Sequence, residues 1–202
     1  MPEAGRVITG TAGGLRLEAP GPGTRPISDK VKQALFSLLE AERPEIWECP
    51  VLDLFAGSGA LAIEALSRGA PRAVLVERDR RAAAVISRNL ERTGSASRAR
   101  VVRRDVASFL AGLSQEVAEA PFGVVFSDPP YEQTTDLAMS LERLASGHSG
   151  WLDETALVVA KHFWKTPPPD RVGELQRIRA RRFGETTLSV YRRKAEIIAG
   201  GT

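Results

Sequence analysis

Val51-Leu52-Asp53-Leu54-Phe55-Ala56-Gly57-Ser58-Gly59-Ala60-Leu61-Ala62 decides the fold of this chain. An apolar run short enough to be a buried strand turns, within a few residues, into a helix. Gly57 and Gly59 permit the sharp turn and let the backbone approach a ligand with no side chain between, while Ala62 allows tight helix packing. The spacing satisfies G-x-G-x-x-A, a nucleotide-binding strand–turn–helix pattern. Glu77 follows at the end of the next strand-like run, where a carboxylate can accept from both hydroxyls of a ribose.

Working outward, strand runs at 50–54, 72–77, 99–104, 122–127 and 155–161 alternate with helical stretches at 58–68, 79–93, 105–113 and 134–147. Crossover helices connect parallel strands, so the pattern predicts a mostly parallel α/β sheet covered on both faces. Gly69 and Gly94 punctuate two of the helix ends. Upstream, residues 6–17 read as two strands joined at Gly13-Gly14, and Ser28 caps a helix that carries Val31, Leu35, Leu38 and Leu39 on one face and ends before Pro44. Downstream, residues 174–182 and 186–192 alternate around Gly184 and predict an antiparallel hairpin at the sheet edge. The division expected is a hairpin extension at 1–27, a main domain at 28–194 and a flexible tail at 195–202.

Composition narrows the class. Of 202 residues, 43% are hydrophobic and 26% charged, as in an ordinary globular protein, and no apolar run is long enough for a membrane-spanning helix. The opening residues lack the features of a secretory signal, so a cytoplasmic location is expected. One cysteine, Cys49, excludes an internal disulfide and reads as a buried thiol; with only His148 and His162 beside it, no metal site is expected. The net charge of +3 is unevenly spread, with basic ends and a slightly acidic middle, a distribution suited to phosphate attraction at the flanks. Arg6, Arg16, Arg25, Lys30 and Lys32 are the candidates for phosphate contacts, together with the arginines of the C-terminal hairpin.

The glycine loop and Glu77 fit either a nicotinamide dinucleotide or S-adenosylmethionine. Asp53 favours the second: a carboxylate at a strand end needs donors, which an ammonium and a sulfonium supply and an anionic pyrophosphate does not. The donor site is read as Asp53, Phe55, Ala56, Gly57, Ser58 and Gly59, with Glu77 and Arg78 from the next strand end and Asp105 and Val106 from the one after. Asp105 serves equally well as an adenine acceptor or as the cap of the following helix.

Ser127-Asp128-Pro129-Pro130-Tyr131 closes the fourth strand run. Two prolines stiffen the loop and remove two amide donors, leaving acceptors that face a ligand. An exocyclic base amine is a weak nucleophile because its lone pair delocalises into the ring. Acceptors that hold its hydrogens turn that lone pair toward an electrophile, a role open to Asp128 and the Pro129 carbonyl. Tyr131 offers a face on which an extruded or unpaired base can stack.

With these residues in view, the chain resembles the class I methyltransferases, and Asp128–Tyr131 resembles the D/N-P-P-Y/F motif of those acting on amino groups. Nearly the full length is similar to the bacterial ribosomal small-subunit methyltransferase D family, through Arg6–Gly10, Gly13-Gly14, Thr24–Val31, Asp53–Leu61, Glu64–Gly69 and Asp128–Tyr131. Thr9-Gly10 and Ile27-Ser28 depart mildly from the family's pairs of glycines and threonines. The resemblance implies a Rossmann-like seven-stranded sheet with an N-terminal hairpin, S-adenosylmethionine as donor, and guanine N2 of 16S rRNA as acceptor. It also implies a substrate presented by the small subunit or its assembly intermediates, with Asp128, Pro129, Pro130 and Tyr131 at the catalytic site. Separately, a monomer is expected. The alternatives are a DNA adenine or cytosine amino-methyltransferase, an NAD(P)-dependent oxidoreductase, and an RNA-binding protein that keeps the fold without catalysis.

Overall fold

Short runs of branched and aliphatic residues form the centre of the sheet because burial on both faces rewards uninterrupted apolar sequence. In the computed structural model, which describes residues 3–21, 27–112, 114–130, 134–146 and 149–194, these runs are β3 (Val51–Leu54), β4 (Ala73–Val76), β5 (Ala99–Val102) and β6 (Phe122–Ser127). Every residue of β3, β4 and β6 is buried. Helices α2 (Ala60–Arg68), α3 (Arg80–Arg92), α4 (Val106–Leu110) and α5 (Thr134–Ala145) alternate with them, and α1 (Asp29–Glu42) precedes them. The chain closes with β7 (Leu152–Phe163), β8 (Arg171–Val172), β9 (Leu175–Phe183) and β10 (Thr186–Arg193), after opening with β1 (Glu3–Arg6) and β2 (Arg16–Glu18).

The main sheet has the order β5-β4-β3-β6-β7-β10-β9-β8. From β5 through β7 the pairs are parallel; β7, β10, β9 and β8 pair antiparallel. Seven strands are those expected, and the two-residue β8 adds an eighth at the edge. β7 runs from Leu152 to Phe163, well beyond the predicted 155–161, because it pairs with β6 on one side and β10 on the other. One apolar layer joins the sheet to α1, α2, α3 and the N-terminal hairpin; the other joins it to α4 and α5. Among the described residues no helix is long and apolar enough to cross a membrane.

The chain leaves β5 and crosses to the far side of β3 to form β6, so strand order reverses between β3 and β6. Open α/β sheets bind ligands outside the carboxyl ends of the strands at such a point. In the register, Leu54 lies opposite Ser127, so the glycine loop and the Asp-Pro-Pro corner leave the sheet side by side.

The expected N-terminal hairpin is present, β1 pairing antiparallel with β2, but its strands lie further out than expected. Strands β1 and β2 are short, and residues 7–15 form a loop laid against α2 because side chains of that helix capture the loop's donors. Ile8 and Thr9 amides donate to the Glu64 carboxylate at 2.7 and 3.1 Å, and the Ala12 amide donates to Ser67 Oγ at 2.9 Å. Gly10, at φ +87°, crosses Ser67 so closely that a Cβ there would meet its carbonyl oxygen at 1.8 Å.

Candidate active site

A cavity of about 850 Å³ opens at the switch point, and both predicted halves of the site line it. Phe55, Ala56, Gly57 and Ser58 form its floor; Glu77 and Arg78, then Asp105 and Val106, form one wall; Asp53, Asp128, Pro129 and Pro130 form the opposite side. The latched N-terminal segment completes the enclosure with Ala4, Ala19, Pro20, Gly21 and Ile27. Tyr131 and Arg25 lie outside the described residues.

The two loop glycines serve different needs. Gly57, at φ +58°, faces open space: an added Cβ would meet nothing nearer than the Phe55 carbonyl at 3.9 Å, so a ligand can lie directly on the backbone. Gly59, at φ +78°, is not in the cavity lining; its Cβ would crowd Leu75, Ile63 and Ile86 at 3.1–3.4 Å. It holds the turn against the core. Phe55 also adopts a left-handed conformation, φ +62°, a strained state for a non-glycine residue that proteins keep chiefly at functional sites.

Glu77 is fixed by two amides, Gly57 donating to Oε2 at 2.9 Å and Asp79 to Oε1 at 2.8 Å, and so its carboxylate is oriented beside the loop. Asp105 caps α4 by accepting from the Ser108 amide at 3.2 Å while still bordering the cavity. The two readings of that residue are thus compatible in geometry. Asp53 is 2% exposed and accepts from the Ala62 amide at 3.1 Å. Burial pushes its carboxyl well above the usual carboxylate range; Asp128 and Glu77 raise it further, against the lowering effect of the Ala62 amide.

Sequence reasoning missed Lys161. Ser127 pairs with Ala160 across β6 and β7, which places the next residues, Asp128 and Lys161, side by side at the carboxyl edge. Lys161 Nζ lies 2.6 Å from Asp128 Oδ1 and 2.8 Å from Oδ2. Burial raises the Asp128 pKa, and the Lys161 ammonium opposes that rise. The available signal was the same one that flagged Asp53: a lone charge ending an otherwise apolar strand. Behind the corner, Ser127 and Ser140 hydroxyls are 2.9 Å apart and tie β6 to α5.

A second, smaller cavity of about 260 Å³ shares Pro129, Pro130 and Lys161 with the first and is otherwise walled by Leu137, Ala138, His162, Phe163, Thr166 and Pro167–Pro169. The ion pair therefore stands between a roomy chamber with charged walls and a mostly apolar slot. Asp53, Glu77, Asp79, Asp105 and Asp128 line the chamber together with Arg78, Arg81, Arg104 and Lys161, and Asp53, Glu77 and the Lys161-paired Asp128 are the carboxylates at the strand ends beside the glycine loop. Asp53 and Glu77 at the strand ends suit a ligand carrying an ammonium and ribose hydroxyls, as S-adenosylmethionine does.

The phosphate candidates divide. Lys30 is exposed, whereas Arg6 is paired with Asp29 at 2.9 Å and Arg16 with Glu3 at 2.5 Å, both at the surface. Lys32 is a correction. It is 1% exposed, its Nζ donating to the Arg6 carbonyl and lying 3.3 Å from Glu64, because the latch needs a cation beneath it. Cys49 and His162 are buried, the thiol donating to the Ile46 carbonyl and the imidazole meeting Ser189 Oγ at 2.9 Å. The described residues hold no cluster of metal ligands.

Comparison with known proteins agrees with this geometry. The family described as Conserved hypothetical protein 95 matches residues 5–192. The chain is 35% identical over 192 residues to ribosomal RNA small subunit methyltransferase D of Escherichia coli, covering 95% of this chain and 91% of that protein. It is also 35% identical over 190 residues to the putative rRNA methyltransferase YlbH of Bacillus subtilis, covering 94% and 99%. Among solved structures, the putative methyltransferase yhhF from Escherichia coli superposes with a TM-score of 0.81 at 34% identity, over 95% of this chain and 98% of that one. The chain thus belongs to the Conserved hypothetical protein 95 family, alongside ribosomal RNA small subunit methyltransferase D, and is a methyltransferase by family and by fold.

Proposed function

We propose that the chain transfers a methyl group from S-adenosylmethionine to the exocyclic N2 amine of a guanine in 16S ribosomal RNA, acting as a cytoplasmic monomer on the small subunit or its assembly intermediates. The observation that carries this reading is that the Asp-Pro-Pro corner and the open glycine loop line one cavity. The relatives named for ribosomal RNA support the substrate class.

The donor, when bound, supplies an electrophilic methyl on a sulfonium. Gly57 and Ser58 would lie under it, Glu77 would accept from its ribose hydroxyls, and Asp53 would meet its ammonium. Asp128 and the Pro129 carbonyl would accept from the base amine and aim its lone pair across the boundary between the two cavities. Lys161 opposes the effect of burial, favours the ionised form of Asp128 and orients its carboxylate for that task. No strong base is needed, since the alkylated amine is acidic and its proton can pass to Asp128 or water. Most of the acceleration would come from positioning and electrostatics.

The test is labelled methyl transfer to small subunits, naked ribosomal RNA and DNA, followed by nucleoside digestion. The expected product is N2-methylguanosine from the ribosomal substrate; methylated adenine or cytosine from DNA would overturn the reading.

A further inference from the structure

The arginines of the C-terminal hairpin are of two kinds. Arg177, Arg179, Arg192 and Arg193 each meet a carboxylate: Asp170, Glu42, Glu42 again and Glu174. They hold the hairpin to itself and to α1. Arg181 and Arg182 have no carboxylate within ion-pairing distance among the described residues, nor does Lys165, and all three gather at aromatic rings instead. The Arg182 guanidinium lies 3.8 Å over the centroid of Trp164, Lys165 Nζ lies 5.3 Å from the same ring, and Arg181 lies 5.2 Å over Phe183.

Trp164 is also the tryptophan out of place. Trp47 and Trp151 are 9% and 1% exposed, as large apolar side chains usually are, but Trp164 is 37% exposed. Its position is fixed, since its amide donates to the Glu185 carbonyl at 3.0 Å and Arg182 Nε donates to the Gly184 carbonyl at 2.7 Å. It directly follows β7, at the carboxyl edge shared with the catalytic corner, and lies in sequence between Phe163 and Thr166, both walls of the apolar slot.

A held guanidinium stacked on an exposed indole, with the Lys165 ammonium at the same ring, is the composition of a platform for unpaired nucleotides: bases stack on aromatic or guanidinium planes while cations meet phosphates. We propose that Trp164 and Arg182 form such a platform for a single-stranded RNA nucleotide flanking the target base, with Lys165 directed to its phosphate; Arg181, next to Arg182 in the strand, points to the opposite face over Phe183 and takes no part. The inference rests on the reading of the substrate as RNA. A slot that takes one extruded base leaves the neighbouring bases unstacked, and the platform stands where one of them emerges.

Trp47 and Trp151 are buried and add a background that a bound base cannot reach, so contact quenching reports on Trp164 and should vanish in Trp164→Ala. Titrating the full chain with a single-stranded oligoribonucleotide should quench the emission to saturation. Trp164→Ala should weaken the affinity about tenfold, read by anisotropy of labelled RNA, and Trp164→Phe should restore most of it. Lys165→Ala should lower the salt dependence of binding, whereas Arg181→Ala, on the opposite face of the sheet, should leave it unchanged. The affinity for S-adenosylmethionine should stay unchanged in all of these variants. Wild-type RNA affinity in Trp164→Ala, or equal quenching by polyglutamate, would overturn the platform while leaving RNA as substrate. A wild-type chain that neither binds nor methylates RNA would overturn both.

Discussion

Lys32–Glu64 and Lys161–Asp128 are both ammonium–carboxylate contacts withdrawn from bulk water, and they differ in what else reaches the carboxylate. Under the N-terminal latch, Glu64 Oε1 accepts from the Thr9 amide and Arg68 Nε, while Oε2 accepts from the Ile8 amide beside the Lys32 ammonium. The side chains of the pair are 1% and 0% exposed. At the cavity, Asp128 has Lys161 as its sole partner among the described residues, the two side chains are 14% and 22% exposed, and its remaining acceptor directions face space a ligand can fill. A carboxylate saturated by protein donors fixes structure; one left partly unsatisfied beside a cavity is available for chemistry.

The largest expected effect separates the two on activity. Asp128→Ala should lower methyl transfer on the order of 10³-fold, while titration calorimetry finds the donor affinity nearly unchanged. Transfer at wild-type rates would remove Asp128 from the reaction. The next effect separates them on stability. Glu64→Ala strands the Lys32 ammonium and two backbone donors, and should cost about 3–5 kcal/mol in urea unfolding, whereas Asp128→Ala, with water free to reach Lys161, should cost about 1 kcal/mol or less. Equal losses in the two variants would erase the distinction.

The two regions also differ in how far sequence alone revealed them. The glycine loop, Glu77, Asp53 and the Asp-Pro-Pro corner were legible because each breaks an apolar pattern at a strand end, and strand ends are where such folds bind ligands. The alternation of strands and helices was legible for the same local reasons. Lys161 carries that same mark of a lone charge ending an apolar run, but its partner, like the placement of Lys32, depends on strand register and on which helix face is covered. Register set Lys161 beside Asp128, and the latch loop placed Lys32 beneath itself, where charge counting had assigned it to the solvent. The N-terminal hairpin was legible, but the path of residues 7–15 within it was not, because its captors, Glu64 and Ser67, are more than fifty positions away.

A third prediction concerns how Lys161 acts. The groups facing Asp128 are Lys161 from β7 and Asp53 from β3, the first lowering its pKa and the second sharing its negative field. With Lys161→Met, the opposition to burial is gone and the Asp128 pKa rises further. The acid limb of kcat/KM against pH should therefore move to higher pH, and Lys161→Arg should return it toward the wild-type position. A purely structural lysine would lower activity evenly across pH, and an unmoved limb would assign it that lesser role.

The smallest effect bears on why the cavity selects a cation. A carboxyl whose pKa is raised on folding favours the folded state below its unfolded value, and that advantage is lost as pH rises through the folded one. Asp53, raised by burial and by Asp128 and Glu77, is in that class, so its ionised form is a cost to the ligand-free protein at neutral pH. Asp53→Asn keeps an oxygen for the Ala62 amide and removes the charge. The ligand-free variant should melt about 2–4 °C higher than wild type at pH 7, the response of a domain of this size to roughly 1 kcal/mol. That gain should shrink as acid protonates Asp53 in the wild type. S-adenosylmethionine should stabilise the variant less than the wild type, because the same unmet charge that strains the empty site attracts the donor's ammonium. A thermal gain that persisted undiminished in acid would trace to packing, and the electrostatic basis for preferring a cationic donor over a dinucleotide would fall with it.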